Sequence, residues 1–234
     1  HLLDRGIARF IAATGVPIAW KPELGTQLGV MPRNGGPDDV RWLQTDPCHV
    51  FHFLNSYTER GRIIADVCRF DALPLFGIDA GRPELRRWTL DPSAGTVAEE
   101  TLDDYAVDFP RIDDRFAGRR HRQGWFAGAL GDTGEFADGF FNTVVHYDFE
   151  RGTRKHAALD EGDSAGEPVF IPRRPDAAEG DGFVIFLAYR GKERRSDLLI
   201  FDAQHIDDAP LASVRLPHAV PLGFHGNWRP AAAP

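Results

Sequence analysis

The stretch Pro47-Cys48-His49-Val50-Phe51-His52-Phe53-Leu54-Asn55-Ser56-Tyr57 decides the fold prediction, because it reads as one buried strand that runs into a turn. A proline begins the apolar run, and Asn55-Ser56 is predicted to end it. Side chains alternate between the two faces of a strand, so His49 and Phe51 are predicted on one face and His52 on the other. Only one of the two histidines can therefore face a given site.

A histidine inside so apolar a run needs a polar partner, because a buried and unpaired imidazole costs free energy. Two interpretations are open for His52. It is either a core histidine bonded to a backbone carbonyl or a metal ligand, and this stretch by itself favours the core histidine.

Composition limits the class of protein. The chain has 234 residues, 42% of them hydrophobic, which is enough for a sizeable core, and a single domain over 1–234 is predicted. A net charge of −8 argues against a nucleic-acid partner. Two cysteines, Cys48 and Cys68, do not make a disulfide framework, so a reducing cytoplasm is the predicted location. The sequence contains no apolar run that would span a membrane and no recognisable signal peptide.

The pattern of apolar residues predicts an all-β chain of antiparallel strands after one short N-terminal helix at residues 4–14. Most strand candidates have Gly, Pro or Asp at their ends. The strands are predicted at about 28–33, 39–44, 48–55, 62–70, 85–91, 95–102, 121–129, 139–148, 153–158, 168–172, 182–190, 196–202 and 211–216.

A weak repeat shows in the turns. Asp46, Asp91, Asp148 and Asp202 each follow or end an apolar strand, at intervals of 45, 57 and 54 residues. A unit of this length with several antiparallel strands is typical of a β-propeller blade. A sandwich with long loops is the alternative.

A second histidine of interest is His225, which lies between Gly223 and Gly226 and close to Trp228. It is 173 residues from His52, so no local metal-binding spacing applies, and any shared metal site must be built by the fold. No zinc-protease helix motif, cysteine pair, nucleophile elbow or phosphate-binding loop is present.

Two carboxylates could orient such histidines, because a ligating imidazole passes its other N–H to a carboxylate or a carbonyl. The candidates are Asp108 and Glu167, each close before an apolar segment. For either residue taken alone, a turn role is the favoured interpretation.

The ordered set of segments resembles the carotenoid cleavage oxygenase family, which includes the bacterial lignostilbene dioxygenases. The matching segments span nearly the whole chain, and each is only moderately specific. They are Leu28-Gly29-Val30-Met31-Pro32-Arg33, the histidine stretch at 47–57, Asp108-Phe109-Pro110-Arg111-Ile112-Asp113, Gly118-Arg119-Arg120-His121-Arg122, Gly166-Glu167-Pro168-Val169-Phe170-Ile171-Pro172-Arg173, Glu179-Gly180-Asp181-Gly182 and Gly223-Phe224-His225-Gly226.

The resemblance implies a seven-bladed propeller with Fe(2+) on its axis, held by four neutral histidines of which acidic residues orient three. It implies that His52 is the third metal ligand and His225 the fourth, with Asp108 and Glu167 as the acids behind them. The family usually has glutamate at position 108. The shorter aspartate is therefore expected either to reach its histidine less well or to act through a water.

The first two iron histidines of the family find no match in this chain, and His1 does not stand for the second. The chain is therefore expected to be the C-terminal half of a longer enzyme, about blades four to seven. The resemblance implies a dioxygenase that cleaves a conjugated C=C bond of a carotenoid, apocarotenoid or phenolic stilbene with O₂ to give two carbonyl products. The alternatives are a non-catalytic propeller that binds a partner and an inactive fragment. Peripheral membrane contact of the full-length protein is left open.

Overall fold

A computed structural model describes residues 19–75, 79–130, 141–221 and 223–230. These residues form antiparallel strands and three short 3₁₀ turns, Pro22–Leu24, Pro37–Asp39 and Asp114–Phe116. The prediction of an all-β chain is confirmed. The predicted helix at 4–14 lies outside the described residues. The described part of the chain contains no helix with the length and apolar character needed to cross a lipid bilayer.

The strands make four sheets. The first sheet pairs β1 (Thr26–Val30) with β2 (Arg41–Thr45). The second contains β3 (His49–Glu59), β4 (Arg62–Phe70), β5 (Glu84–Asp91) and β6 (Thr96–Asp103). The third contains β7 (Val107–Arg111), β8 (Gln123–Gly128), β9 (Thr143–Asp148) and β10 (Thr153–Ala158). The fourth contains β11 (Ser164–Ala165), β12 (Val169–Pro172), β13 (Gly182–Arg190), β14 (Arg195–Asp202) and β15 (Ala212–Arg215).

In the second and third sheets each strand pairs with the next one along the chain. Such up-and-down antiparallel sheets, packed against one another in sequence order, are the blades of a β-propeller. Strands β3 and β7 are the first strands of their sheets, and two of the side chains that build the candidate site, those of His52 and Asp108, come from them.

The predicted repeat is present at three of its four aspartates. Asp91, Asp148 and Asp202 end the third long strand of their sheets. The Oδ1 atom of each accepts backbone N–H groups of the following turn, such as Ala94 at 2.9 Å and Arg151 at 3.0 Å. This is the local bonding that favours Asp in turns.

The fourth aspartate of the predicted repeat is not equivalent. Asp46 follows β2 and precedes β3, so it lies in a connection between two sheets rather than in a turn within one sheet. The similar spacing of Asp46 therefore did not indicate an equivalent position.

The cores lie between neighbouring sheets. Trp125 on β8 is fully buried between the third and fourth sheets, where it stacks on Phe170 with a centroid distance of 4.6 Å. Its indole N–H donates to the carbonyl of Ala203 at 2.9 Å, so the ring is buried without an unpaired donor. Loss of so large a buried side chain costs about 3–5 kcal/mol. These contacts fix the relative position of the sheets that carry the site.

One predicted boundary in the histidine stretch is wrong. Strand β3 does not end at Asn55-Ser56 but continues to Glu59. The Asn55 side chain is buried, donates to the carbonyl of Arg119 at 2.9 Å and accepts the N–H of Gly118 at 3.0 Å. Asn55 therefore anchors a distant loop rather than a turn of its own.

Strict alternation along β3 is also wrong. The pairing of β3 with β4 shifts between Val50 and Phe53 and again between Phe53 and Asn55. A β-bulge of this kind re-aims side chains. Phe51 and His52, which alternation put on opposite faces, line the same cavity.

Candidate metal centre

His52 lies at the bulge of β3 and is held by a carboxylate from the next sheet. Its Nδ1 atom is 2.8 Å from Oδ1 of Asp108 on β7, and that carboxylate is buried. An ionised carboxylate only accepts hydrogen bonds, so Nδ1 carries the proton in this pair. The Nε2 atom of a neutral His52 then keeps its lone pair, as a metal ligand requires.

His225 has the same kind of partner. Its Nδ1 atom is 3.1 Å from Oε1 of Glu167, which lies between β11 and β12. The other oxygen of Glu167, Oε2, accepts the N–H of Gly226 at 2.8 Å. The Glu167 side chain is 6% exposed, whereas that of His225 is 58% exposed. A buried carboxylate thus orients an imidazole that lies on an open surface.

The two imidazoles converge. The Nε2 atoms of His52 and His225 are 3.4 Å apart, and the ring centroids are 5.0 Å apart. Imidazole nitrogens bind a divalent transition metal at about 2.0–2.1 Å, so two nitrogens on one ion are at most about 4.2 Å apart. The observed separation fits a shared ion, and the donor set of two imidazoles, each with a carboxylate behind it, suits a transition metal.

Within the described ranges, no group of three or more His, Cys, Asp or Glu side chains is placed to hold a metal ion. His52 and His225 are therefore the pair of imidazoles that this part of the chain brings to one point. The juxtaposition expected of them is present, and their role as metal ligands stays a prediction.

Phe109 lies across both imidazoles. Its ring centroid is 4.8 Å from that of His52 and 5.7 Å from that of His225. The Phe109 backbone has φ 50°, in the left-handed region, where a non-glycine residue is strained. The strain coincides with a shift in the pairing of β7 with β8 between Asp108 and Arg111. This irregularity directs Asp108 toward His52, and it directs Arg111 toward Glu167, the carboxylate that bonds His225.

An apolar cavity of about 420 Å³ opens beside the two histidines. Aromatic and aliphatic side chains supply most of its wall, and the polar groups are those of the histidine site and Ser164. The lining residues are Phe51, His52, Phe70, Pro74, Leu75, Asp108, Phe109, Phe141, Ser164, Ala165, Gly166, Glu167, Gly223 and Phe224.

His49 belongs to different surroundings, as predicted. It lines a separate cavity between the first two sheets, together with Thr26 and Trp88. Burial lowers the pKa of His49 and favours the neutral ring. Its buried Nε2 atom has no hydrogen-bond partner in the described part of the chain.

Cys68 on β4 is fully buried close to the site. Burial raises the pKa of its thiol well above the ordinary value, and the nearby Asp108 carboxylate raises it further. Cys68 and the other cysteine, Cys48, are both buried and unpaired.

Sequence reasoning missed Phe109, Arg111 and the strand that carries them. Arg111 donates to Glu167 Oε2 at 3.1 Å and to the carbonyl of Gly226 at 2.8 Å. The segment 108–113 was marked by resemblance, but only Asp108 received a role. The strand candidates predicted from the sequence did not include 107–111.

A family model described as retinal pigment epithelial membrane protein matches residues 7–230. The chain belongs to this family, that of the carotenoid cleavage oxygenases. The family prediction is confirmed. A curated relative, the carotenoid cleavage oxygenase of Mycobacterium tuberculosis, is 37% identical over 229 residues, which cover 92% of this chain and 44% of the relative.

Solved structures of carotenoid cleavage oxygenases share the fold. The lignostilbene dioxygenase of Pseudomonas brassicacearum is similar with a TM-score of 0.84 and 31% identity over 91% of this chain and 48% of that one. The cobalt-substituted apocarotenoid oxygenase of Synechocystis is similar with a TM-score of 0.82 and 29% identity over 90% of this chain and 45% of that one. The prediction of a partial propeller is confirmed. The chain spans about half the length of the curated relatives it matches.

Proposed function

We propose that the protein carrying this chain is a non-haem ferrous iron dioxygenase. It cleaves a conjugated C=C bond of an apolar carotenoid, apocarotenoid or phenolic stilbene with O₂ and gives two carbonyl products. The observation that carries the proposal is the approach of two imidazole Nε2 atoms to 3.4 Å, each ring with a carboxylate at its Nδ1. Membership of the oxygenase family and the cobalt-substituted relative support a metal at this point.

In this proposal His52 and His225 hold the metal through Nε2. Asp108 and Glu167 accept from the two Nδ1 atoms, which fixes the tautomer and the plane of each ring. Neutral imidazoles leave the metal its own charge and open positions, unlike two histidines with a carboxylate ligand. Ferrous iron, when bound, supplies the activation of O₂.

The overall reaction inserts both atoms of O₂ across the double bond and neither takes up nor releases a proton. It therefore needs no free general base. Asp108 and Glu167 are already engaged by the imidazoles, which is consistent with an orienting role.

The 420 Å³ cavity takes the conjugated substrate. Phe51, Phe109 and Phe141 offer flat apolar surfaces, and His52 lines the same space. Such a wall excludes water and holds the double bond beside the metal-binding nitrogens. The two substrate classes share these needs, so both are to be assayed.

We further propose that the chain is one propeller portion, about blades four to seven, of a longer oxygenase. The proposal is supported by its cover of about half of each relative. We propose a cytoplasmic location, which is supported by two buried, unpaired cysteines.

The test uses the protein expressed from its complete gene. Iron content is measured after purification without oxygen, and products are identified by mass spectrometry after incubation with ¹⁸O₂ and either a carotenoid-derived polyene or a phenolic stilbene. We expect about one iron per chain and one labelled oxygen in each carbonyl product. A wild-type protein without iron or cleavage activity refutes the proposed function.

The ligand assignment is tested by His52→Ala and His225→Ala, with His218→Ala as the control. His218 is an exposed histidine, so its loss removes an imidazole of no assigned role. Each site variant is expected to lose most of the iron and of the activity, whereas the control retains both. Site variants that keep wild-type iron and activity show that the assignment is wrong.

A further inference from the structure

Arg111, at the end of β7, bonds both the carboxylate that orients His225 and the chain segment that carries His225. Its Nη1 atom donates to Oε2 of Glu167 at 3.1 Å and to the carbonyl of Gly226 at 2.8 Å. Its Nη2 atom donates to Oδ1 of Asn227 at 3.3 Å. One guanidinium thus bonds both the carboxylate that orients His225 and the backbone that carries His225.

The segment that carries His225 has few other anchors. Within the described ranges, no backbone–backbone hydrogen bond joins residues 223–230 to a strand. Phe224 is 77% exposed, so apolar packing holds the segment only weakly. Its hydrogen bonds to the rest of the described chain come from Glu167 and Arg111.

Glu167 by itself does not fix the imidazole, because a carboxylate can rotate about its last bond and exchange its oxygens. Arg111 and the N–H of Gly226 both hold Oε2, which leaves Oε1 for the Nδ1 atom of His225. The Arg111 side chain is 16% exposed and also supplies the positive charge that a buried carboxylate requires.

We propose that Arg111 is a positioning residue for His225, acting through Glu167 and through the carbonyl of Gly226. The metal-binding purpose of this positioning rests on the proposed function. Asp108, which bonds His52, lies three residues earlier on the same strand. Strand β7 therefore orients both imidazoles, one directly and one through a guanidinium that a lysine could not replace geometrically.

The test compares Arg111→Lys and Arg111→Met with Arg115→Lys. Arg115 is a matched control because it also joins a buried carboxylate, that of Asp113, to backbone carbonyls, those of Pro175 and Ala177. These carbonyls belong to a different loop. The Arg111→Lys variant keeps a positive charge near Glu167, so it still tests the proposal if Arg111→Met does not fold.

The first readout needs no metal. Hydrogen exchange at the amide of Gly226 is expected to rise at least about tenfold in both Arg111 variants and to stay within twofold of wild type in Arg115→Lys. Long-range ¹H–¹⁵N NMR is expected to show the Nδ1–H tautomer of His225 in wild type and a mixture in the Arg111 variants. Unchanged exchange and an unchanged tautomer overturn the proposal.

The second readout is Co²⁺ affinity, followed by visible absorption of the protein expressed from its complete gene. The loss of a residue that orients a ligand costs about 10–100-fold in metal affinity. We expect that loss in Arg111→Met, a smaller one in Arg111→Lys and none in Arg115→Lys. Wild-type affinity in the Arg111 variants refutes positioning for the metal. If wild type binds no metal, the proposed function fails, and the exchange experiment still decides the positioning.

Discussion

Asp108 reaches His52 directly, since its Oδ1 atom lies 2.8 Å from the imidazole Nδ1 with no water needed between them. The resemblance had led us to expect that an aspartate in place of the usual glutamate reaches less well or acts through a water. The irregular pairing of β7 beyond Asp108 and the bulges of β3 around His52 accompany this short approach. These backbone irregularities thus compensate for the side chain of aspartate, which is one methylene shorter than that of glutamate.

Asp108→Asn should separate charge from shape at this contact. The amide has the same size but no charge, so it holds the Nδ1–H of His52 less strongly. We expect a fall of about 10–100-fold in metal affinity, measured by Co²⁺ titration of the protein expressed from its complete gene. Asp104→Asn, at an exposed neighbouring position, is the control. Equal affinities in the two variants would show that the Asp108 charge has no part in binding.

The left-handed backbone of Phe109 predicts that glycine destabilises the protein less than alanine at this position, the reverse of the usual order in a strand. Loss of the ring destabilises both Phe109→Ala and Phe109→Gly, but glycine also removes the strain at φ 50°. We expect the glycine variant to be more stable than the alanine variant by about 1 kcal/mol in urea unfolding. At Phe183 in β13, which lacks a positive φ, the alanine variant should be the more stable one. The same order at both positions would contradict the strain.

The sequence predicts the parts of the fold that depend on local signals, and it misses the parts that depend on contacts between distant residues. The hairpin strands β4, β10 and β13 lie at their predicted bounds, because alternation and turn residues are local signals. Strand β7 was missed, since Val107-Asp108-Phe109-Pro110-Arg111 has no alternation and contains a proline. Its strand state depends on pairing with β8, a contact that no local pattern records.

The residues of the candidate site show the same difference between local signals and long-range contacts. His52 and His225 were selected through resemblance and not through spacing, because 173 residues separate them. Nothing local distinguishes Arg111 from the other arginines; its role depends on where the fold brings Glu167 and Gly226. Alternation likewise failed at Phe51, where the bulges of β3 change the direction of the side chains.

A buried ion pair between β4 and β5 predicts a large loss of stability. Asp66 is 0% exposed and accepts two hydrogen bonds from Arg87, at 2.7 and 2.9 Å. These bonds lower the pKa of the Asp66 carboxyl against the opposing effect of burial. Because Asp66→Ala removes this carboxylate from the partly buried Arg87 guanidinium and from the buried His121 ring, we expect a loss of about 3 kcal/mol in unfolding free energy. Glu59→Ala, which breaks an exposed pair with Arg120, should cost less than about 1 kcal/mol. Similar losses in both variants would be evidence against the buried pair.

His146 predicts a pH dependence of stability. Burial lowers its pKa from 6.5 to about 4 in the folded protein, where it stacks on Trp125 and bonds Gln123. Between these values the unfolded chain binds a proton that the folded chain does not. Stability therefore falls as the pH is lowered from about 6.5 to about 4, by roughly 3 kcal/mol at 1.36 kcal/mol per pKa unit.

The measurement is urea unfolding at several pH values. His146→Asn should lose this part of the pH dependence, and the exposed control His218→Asn should keep the wild-type slope. A wild-type slope in His146→Asn would mean that another group titrates in this range.

Cys68 has a consequence for the oxygen chemistry that we propose at the neighbouring site. Thiolates, rather than thiols, react with oxidants, and the step to sulfenic acid begins from the thiolate. The Cys68 thiol is fully buried, and burial together with the neighbouring Asp108 carboxylate keeps it protonated. The carboxylate that bonds His52 thus also disfavours the thiolate form of an adjacent sulfur, which is the form that would react with an oxidant beside the proposed site.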